Sequence, residues 1–215
     1  MIKIKEPVNS LTHLVGAVLS MIGLILMIIK SVTNQSGAQL AGALVFGISL
    51  ILLYSASTVY HWLTVPEKVG KVLRKLDHSM IYVLIAGTYT PVCLLALKGV
   101  LGWTLFGIIW GLALIGIVMK MFWLNAPRWL YTSFYVVLGW IAIFFIMPIY
   151  RAIGIGGFLL LLGGGVLYTV GSVIYATKSE KIRISVFGFH EIFHLFILGG
   201  SIAHFIMVEQ FLLIK

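Results

Sequence analysis

The sequence predicts an all-α fold, a bundle of seven transmembrane helices with a cytoplasmic amino terminus and an extracytoplasmic carboxyl terminus. Its 215 residues are 61% hydrophobic and only 10% charged, and a mean hydropathy of +1.11 is too high for a soluble domain of this size. Seven apolar runs and an uneven distribution of basic residues complete the prediction. We therefore expect a single multi-pass domain, residues 1–215, in the cell membrane.

Seven apolar runs are each long enough to cross a bilayer, which takes about 20 helical residues. In chain order they cover residues 11–29, 38–62, 76–97, 100–119, 130–149, 152–176 and 188–209. Two connections are very short, Lys98-Gly99 and Tyr150-Arg151, so the third and fourth runs, and the fifth and sixth, are predicted to be antiparallel neighbours. No connection is long enough to hold a second domain.

The basic residues predict the orientation of the bundle. Eleven of the fifteen lysine and arginine residues lie in the amino-terminal tail and in every second connection, whereas four lie on the opposite side. Cytoplasmic loops carry the excess of these residues, so the amino terminus is predicted to be cytoplasmic. The basic residues form no stripe of the kind that binds nucleic acid, and no nucleic-acid partner is expected despite the formal net charge of +9.

Glycines in two of the runs would allow neighbouring helices to approach closely. Gly107 and Gly111 lie one turn apart in the fourth run, and Gly163, Gly164 and Gly165 are consecutive in the sixth. These glycines are predicted to serve packing within the chain. Contact between two copies in a homo-oligomer is the alternative.

The stretch H-E-I-F-H begins the last run and contains two histidines four residues apart, His190 and His194. On a helix these side chains lie on one face a turn apart, which suits binding of one metal ion. Polar side chains in hydrocarbon are costly and call for an explanation. The alternative is that each histidine hydrogen-bonds to a neighbouring helix.

Other polar residues are predicted at the same membrane depth. Ser57 and His61 lie one turn apart near the end of the second run, and Asp77 lies at the start of the third. Three histidines and one carboxylate from three helices thus converge on the cytoplasmic leaflet, and this convergence favours a metal site over unrelated packing histidines.

The residue types indicate which metal and which chemistry the site would have. A catalytic zinc site typically has three protein ligands and a water molecule, so His61, His190 and His194 are the predicted ligands. Imidazole ligands without cysteine favour Zn²⁺, with iron or another divalent ion as the alternative. Asp77 is placed to hydrogen-bond to the water and to act as its base.

These motifs resemble those of a known family. The segments Ser57-T-V-Y-His61, K-L-Asp77 and His190-x-x-x-His194 are similar to those of the haemolysin III branch of the progestin and adipoQ receptor family and, more distantly, to those of the alkaline ceramidases. The resemblance covers nearly the whole chain. It implies that the three histidines bind zinc, that Asp77 contacts the water, and that Ser57 is a supporting hydrogen-bonding group at the catalytic site.

A second motif overlaps the same residues. H-E-I-F-H also satisfies H-E-x-x-H, in which Glu191 would be the base of an intramembrane metalloprotease. No separate aspartate motif in a later run supplies a third ligand for such a protease. Glu191 is therefore predicted to bond to its helical surroundings or to line the cytoplasmic entrance.

The functional hypotheses follow from this site. The first is a zinc-dependent hydrolase or sensor in membrane homeostasis, with membrane lipids as substrate or ligand and with amide or ester bonds as the reacting groups. A cytolysin that permeabilises membranes is the second. It fits poorly, because the chain has seven permanent spans and no amphipathic insertion segment. The third is a receptor or transducer in which zinc is structural.

Four further polar residues receive other interpretations. Asn9 is at least as well suited to cap the first helix as to take a direct role, and His13 either lies at the helix end or lines the cavity. His78 points roughly 100° away from Asp77 on a helix and is predicted to be interfacial. His204 is predicted to lie too far toward the outer end of the seventh run to serve the metal.

Overall fold

The computed structural model describes residues 4–97, 99–178, 182–184 and 187–214. These residues form helices and contain no strand, which confirms the all-α prediction. The helices are α1 Pro7–Thr33, α2 Gly37–Trp62, α3 Glu67–Pro91, α4 Gly99–Phe122, α5 Arg128–Trp140, α6 Ile146–Thr177 and α7 Phe189–Met207. A 3₁₀ segment, Ile141–Phe145, joins α5 to α6, and π-helical segments, Val92–Leu97 and Val208–Leu212, follow α3 and α7.

Six helical stretches in the described part of the chain are long and apolar enough to cross a membrane, which supports a multi-pass membrane protein. They are Pro7–Thr33, Gly37–Trp62, Glu67–Leu97, Gly99–Phe122, Arg128–Thr177 and Phe189–Leu212. The difference from the seven predicted runs arises in one place, where the fifth and sixth runs form a single helical stretch.

That stretch, Arg128–Thr177, contains 50 residues, which would extend about 75 Å as one straight helix. The hydrocarbon core is only about 30 Å thick. Its two ends are in contact, because Arg128 Nη1 donates a hydrogen bond to the Tyr175 carbonyl oxygen at 3.0 Å. Trp140 Nε1 also donates to Thr169 Oγ1 at 2.9 Å. The stretch therefore folds back on itself.

The break in this stretch lies within α6 at Gly154, whose φ of 63° and ψ of −176° are not helical. This conformation is essentially restricted to glycine, because any Cβ would clash there. Tyr150 and Arg151, which the sequence suggested as the connection, are helical instead. Hydropathy located the apolar runs, but the backbone conformation that only glycine adopts determines where the helix breaks.

Prolines stand where several helices begin. Pro7 lies in the first turn of α1, and Pro66 and Pro127 precede α3 and α5 as their N-cap residues. A proline is tolerated there because the first turn needs no backbone N–H donor. Pro91 is the last residue of α3, where the helix changes to π geometry.

Hydrogen bonds define the two ends of the bundle. At one end, which we call the Glu6 end, the Glu6 backbone N–H donates to the His61 carbonyl oxygen at 2.9 Å, joining the start of α1 to the end of α2. At the opposite end, the Lys30 end, Lys30 Nζ lies 2.7 Å from Glu209 Oε1 and joins the end of α1 to the segment after α7. The starts of α3 and α7 and the end of α4 also lie at the Glu6 end.

Close approach of helices depends on some of the glycines and not on others. A Cβ at Gly164 of α6 would clash with the His204 ring of α7, so the prediction of packing is confirmed there. Nothing described lies within 4 Å of a Cβ built on Gly107 or Gly111. The prediction of packing within the chain is therefore wrong for this pair, which faces outward from α4.

Candidate metal centre

Three histidines meet at the Glu6 end of the bundle. His61 lies in the last turn of α2, and His190 and His194 lie in the first two turns of α7. Each offers a ring nitrogen, and these three atoms lie within 4.8 Å of one another. The ring centroids are 4.8 to 5.1 Å apart. The structure thus brings together the three predicted ligands in an arrangement that could hold a metal ion.

The hydrogen bonding of His61 tests whether the cluster fits a metal ion. Nδ1 of His61 lies 2.6 Å from Glu6 Oε2, and this hydrogen bond is the main cause that lowers the pKa of the Glu6 carboxyl group to about 2. Because an ionised carboxylate can only accept, Nδ1 carries a proton, and in the neutral imidazole that binds metals Nε2 then presents a lone pair. A carboxylate that orients a ligating histidine in this way is common at metal sites.

Two nitrogens of the cluster have no partner within the described residues, although both are buried. They are Nε2 of His61 and Nδ1 of His194. A buried polar atom without a hydrogen bond costs about 1–3 kcal/mol, and a metal ion between the rings would remove this cost. Neutral imidazole nitrogens suit Zn²⁺, so the residues fit the ion that the sequence predicts.

A network of hydrogen bonds holds this cluster to the start of α1. Asn9 Nδ2 donates to Glu6 Oε2 and to Glu191 Oε1, both at 3.0 Å. Glu191 Oε2 in turn accepts from the Gly188 backbone N–H at 2.9 Å and so caps α7. The prediction that Glu191 bonds to its helical surroundings agrees with these contacts. Asn9 lies inside α1, whose N-cap is Glu6, so the interpretation of Asn9 as a helix cap is wrong.

Asp77 of α3 and Ser57 of α2 lie beside the histidines. The Ser57 side chain is 1% exposed and Asp77 is 9% exposed, and the Ser57 hydroxyl interacts with the Asp77 carboxyl group. Both residues line the same cavity as His190 and His194. The carboxylate thus faces the same cavity onto which the histidine cluster opens.

This cavity has a volume of about 300 Å³ and mostly apolar walls. Asp77 and His190 lie in its wall near the Glu6 end, and His204 lines it further along α7. His194 and His204 are ten residues apart, or about 15 Å along the helix axis. Leu161 and Phe158 of α6 also contribute to its wall. The cavity therefore has one polar end and a long apolar part, which suits an acyl chain.

The predicted positions of the remaining histidines agree with the structure only in part. His13 is buried and lines the cavity, where its ring stacks on His194 at a centroid distance of 3.6 Å. The interfacial prediction for His78 is wrong, because His78 is buried and also lines the cavity. Its helix begins at Glu67, well before the predicted run, so His78 lies about three turns inside α3. His204 lies outside the cluster, as predicted.

Fold and site together define the protein's class, a multi-pass helical membrane protein with a buried three-histidine cluster beside an apolar cavity. Residues 1–205 match the family described as haemolysin-III related. Over 209 residues the chain is 43% identical to Hemolysin-3 of Bacillus cereus, covering 97% of this chain and 92% of that protein. It is also 43% identical to a Hemolysin-3 homolog of Bacillus subtilis (strain 168), covering 97% of this chain and 95% of that protein. The chain belongs to the haemolysin III family, in agreement with the resemblance of its motifs.

Proposed function

We propose that this protein is a zinc-dependent hydrolase that cleaves an amide or ester bond of a membrane lipid. The observation that carries the proposal is the cluster of three histidines, with unpartnered nitrogens, beside Asp77 at the polar end of an apolar cavity. A purely structural site would be closed by a fourth ligand. Only three histidines group in this way among the described residues, and the cavity adjoins them.

His61, His190 and His194 would hold the ion, with Glu6 fixing the ring orientation of His61. When bound, Zn²⁺ would supply Lewis acidity that polarises a carbonyl group and activates water. Three ligands from the protein leave one coordination position for reactants. Because His190 and His194 line the cavity, a lipid bound there would have its carbonyl group beside the proposed ion.

The chain's own residues would bind the lipid and move the proton. The apolar walls, including Leu161 and Phe158, would bind an acyl chain and exclude bulk water. An Asp77 carboxylate oxygen would accept the proton of the attacking water and return it to the leaving nitrogen or oxygen. The Ser57 hydroxyl would hold Asp77 in orientation.

The test of this proposal is hydrolysis by purified protein in detergent. We expect zinc-loaded protein to release fatty acid from at least one member of a panel of ceramides, acyl amides and diacyl lipids. Removal of the ion by chelation should reduce the initial rate about tenfold or more, and added Zn²⁺ should restore it. Mass spectrometry of the released fatty acid measures both rates. Failure of the whole panel with metal-loaded protein would contradict the proposal and favour a sensor.

The printed name of the Bacillus relatives, hemolysin, favours membrane permeabilisation as a second candidate. A pore-former that leaves its cell must first be soluble, and the six long apolar helical stretches in the described part of the chain make this unfavourable. The same preparations distinguish the two candidates. If the protein releases dye from liposomes equally well with and without the metal, the result would support permeabilisation. Hydrolysis, in contrast, requires the ion.

We also propose that the 50-residue stretch crosses the membrane twice, reversing at Gly154, which gives seven spans in one domain. The bias of basic residues then places the amino terminus in the cytoplasm and the carboxyl terminus outside. We expect fluorescence from a green fluorescent protein fused before residue 1 and alkaline phosphatase activity from a fusion after residue 215. Reporters that place both termini on one side of the membrane would contradict seven spans.

A further inference from the structure

A group of basic side chains lies apart from the histidine cluster, where α3, α4 and α5 meet near the Glu6 end. The Lys120 side chain is completely buried, and its Nζ lies 3.2 Å from the centroid of the Tyr131 ring. Nζ has no hydrogen-bond acceptor among the described residues, and Nδ1 of buried His78 has no partner there either. Arg74 precedes His78 by one helical turn and lies on the same face of α3.

The charges in this group have one sign. Lys120 and His78 both lie against the Tyr131 ring, Lys120 Nζ at 3.2 Å from its centroid and the His78 ring centroid at 5.6 Å from it, and positive charges on Arg74, Lys120 and His78 would repel one another. The ion pairs of the described chain that involve lysine use Lys5, Lys30 and Lys71, and none reaches this group. A buried ammonium without a counter-ion is costly, and an aromatic ring offsets only part of the cost.

The nearest candidate counter-ion is committed elsewhere. Asp77 is adjacent to His78 in sequence, but its carboxyl group interacts with Ser57 and His61. Successive side chains on a helix diverge by about 100°, so Asp77 and His78 face different neighbours. The described part of the chain therefore supplies no counter-ion for this group.

The group reaches the cavity of the proposed active site through His78 and through Tyr131, against whose ring Lys120 packs, whereas Arg74 and Lys120 do not themselves line it. His78 and Tyr131 both line that cavity, together with Asp77 and His190. An anionic group bound by Arg74, His78 and Lys120 could therefore belong to a molecule whose remainder extends along the apolar walls. Guanidinium and ammonium groups both bind phosphate oxygens strongly, the guanidinium through two parallel hydrogen bonds.

We propose that Arg74, His78 and Lys120 form a phosphate-binding subsite for the headgroup of a lipid whose acyl chain occupies the cavity. The inference deepens the proposed function. It rests on that function only in treating the bound lipid as the substrate. The recognised chemistry is a phosphate group, which a membrane lipid or free inorganic phosphate could provide.

Binding of short-chain lipids to the purified, detergent-solubilised full chain tests the subsite. Dihexanoyl phosphatidic acid is the probe, and dihexanoyl glycerol, which lacks the phosphate, is its matched control. We expect native mass spectrometry to show that the phosphatidic acid binds and that Lys120→Met weakens this binding about tenfold or more. Lys68→Met should leave binding unchanged, since it removes an exposed lysine on the same helix as Arg74.

The His194→Ala background excludes a contribution from the metal centre, which could itself bind phosphate. Phosphatidic acid should still bind this variant, and Lys120→Met should weaken binding by a similar factor in both backgrounds. Binding that is lost in His194→Ala but retained in Lys120→Met would overturn the subsite. Equal binding of dihexanoyl glycerol, or no binding of phosphatidic acid to the wild type, would also overturn it.

Two further measurements complete the test. Full displacement of the lipid by inorganic phosphate at similar concentration would support the subsite with the free anion as its ligand. Without ligand, Lys120→Met should unfold at a higher temperature than the wild type, because the variant removes an unpaired buried charge. Arg74→Gln provides a second variant should Lys120→Met misfold. Because no turnover is measured, failure of the hydrolase proposal would leave this result intact.

Discussion

Replacement of His194 by alanine is expected to remove most of the bound metal. The variant leaves His61 and His190, and two protein ligands rarely retain zinc against water and chelators. Loss of a residue that only orients a ligand already costs about 10- to 100-fold in affinity, so loss of a ligand should cost more than about 100-fold. Elemental analysis of purified protein, followed by competition with a zinc-sensitive dye, measures both occupancy and affinity.

The same measurement has matched controls within the chain. His204→Ala removes another buried imidazole of α7 that lines the cavity but lies outside the cluster, and it should retain full occupancy. The zinc affinity of Glu6→Gln should lie between those of His194→Ala and His204→Ala, because the amide oxygen still accepts from His61 Nδ1 but lacks the negative charge. Full zinc content in both His190→Ala and His194→Ala would refute the ligand assignment.

Asp77→Asn is expected to retain the fold and most of the zinc while losing hydrolysis. An amide fills the same space and still hydrogen-bonds to water, but it cannot accept a proton near neutral pH. General base catalysis typically contributes about 10²- to 10⁴-fold, so the rate of fatty acid release should fall by a factor in that range. The rate and the zinc content are measured on one preparation, which separates loss of the base from loss of the ion.

Glu191→Gln is the matched control for this prediction. In an intramembrane metalloprotease Glu191 would be the base. Glu191→Gln would then lose activity, whereas Asp77→Asn would retain most of it. In the structure Glu191 accepts from Gly188 and Asn9, so we expect Glu191→Gln to retain most of the rate. The opposite pattern would reassign the base.

The three histidines could be predicted from the sequence because their signal is local. His190 and His194 share a helix face by their spacing alone, and His61 is predicted at the same depth in the second apolar run. These arguments need only helix geometry and the thickness of the membrane. The same arguments brought Asp77 and Ser57 to the site, where the structure also has them.

The sequence does not predict Glu6 and Asn9 as neighbours of the histidine cluster, because their contacts are long-range in sequence. Nothing in the segment preceding α1 indicates that its carboxylate bonds to a histidine 55 residues later. In the sequence Lys120 is only one of the basic residues that predict the topology, since its burial beneath Tyr131 depends on how α4 meets α5. These positions are determined by tertiary packing, which a pattern along one helix does not contain.

Loading of the proposed metal site would depend on the order in which the chain is made. Glu6 and His61 are synthesised early and can pair once α1 and α2 are inserted, which holds one imidazole in place. His190 and His194 emerge last, with α7. A chain that ends before residue 190 would have one of the three proposed ligands and could not retain the ion, so the proposed zinc would bind only after the last helix has been inserted.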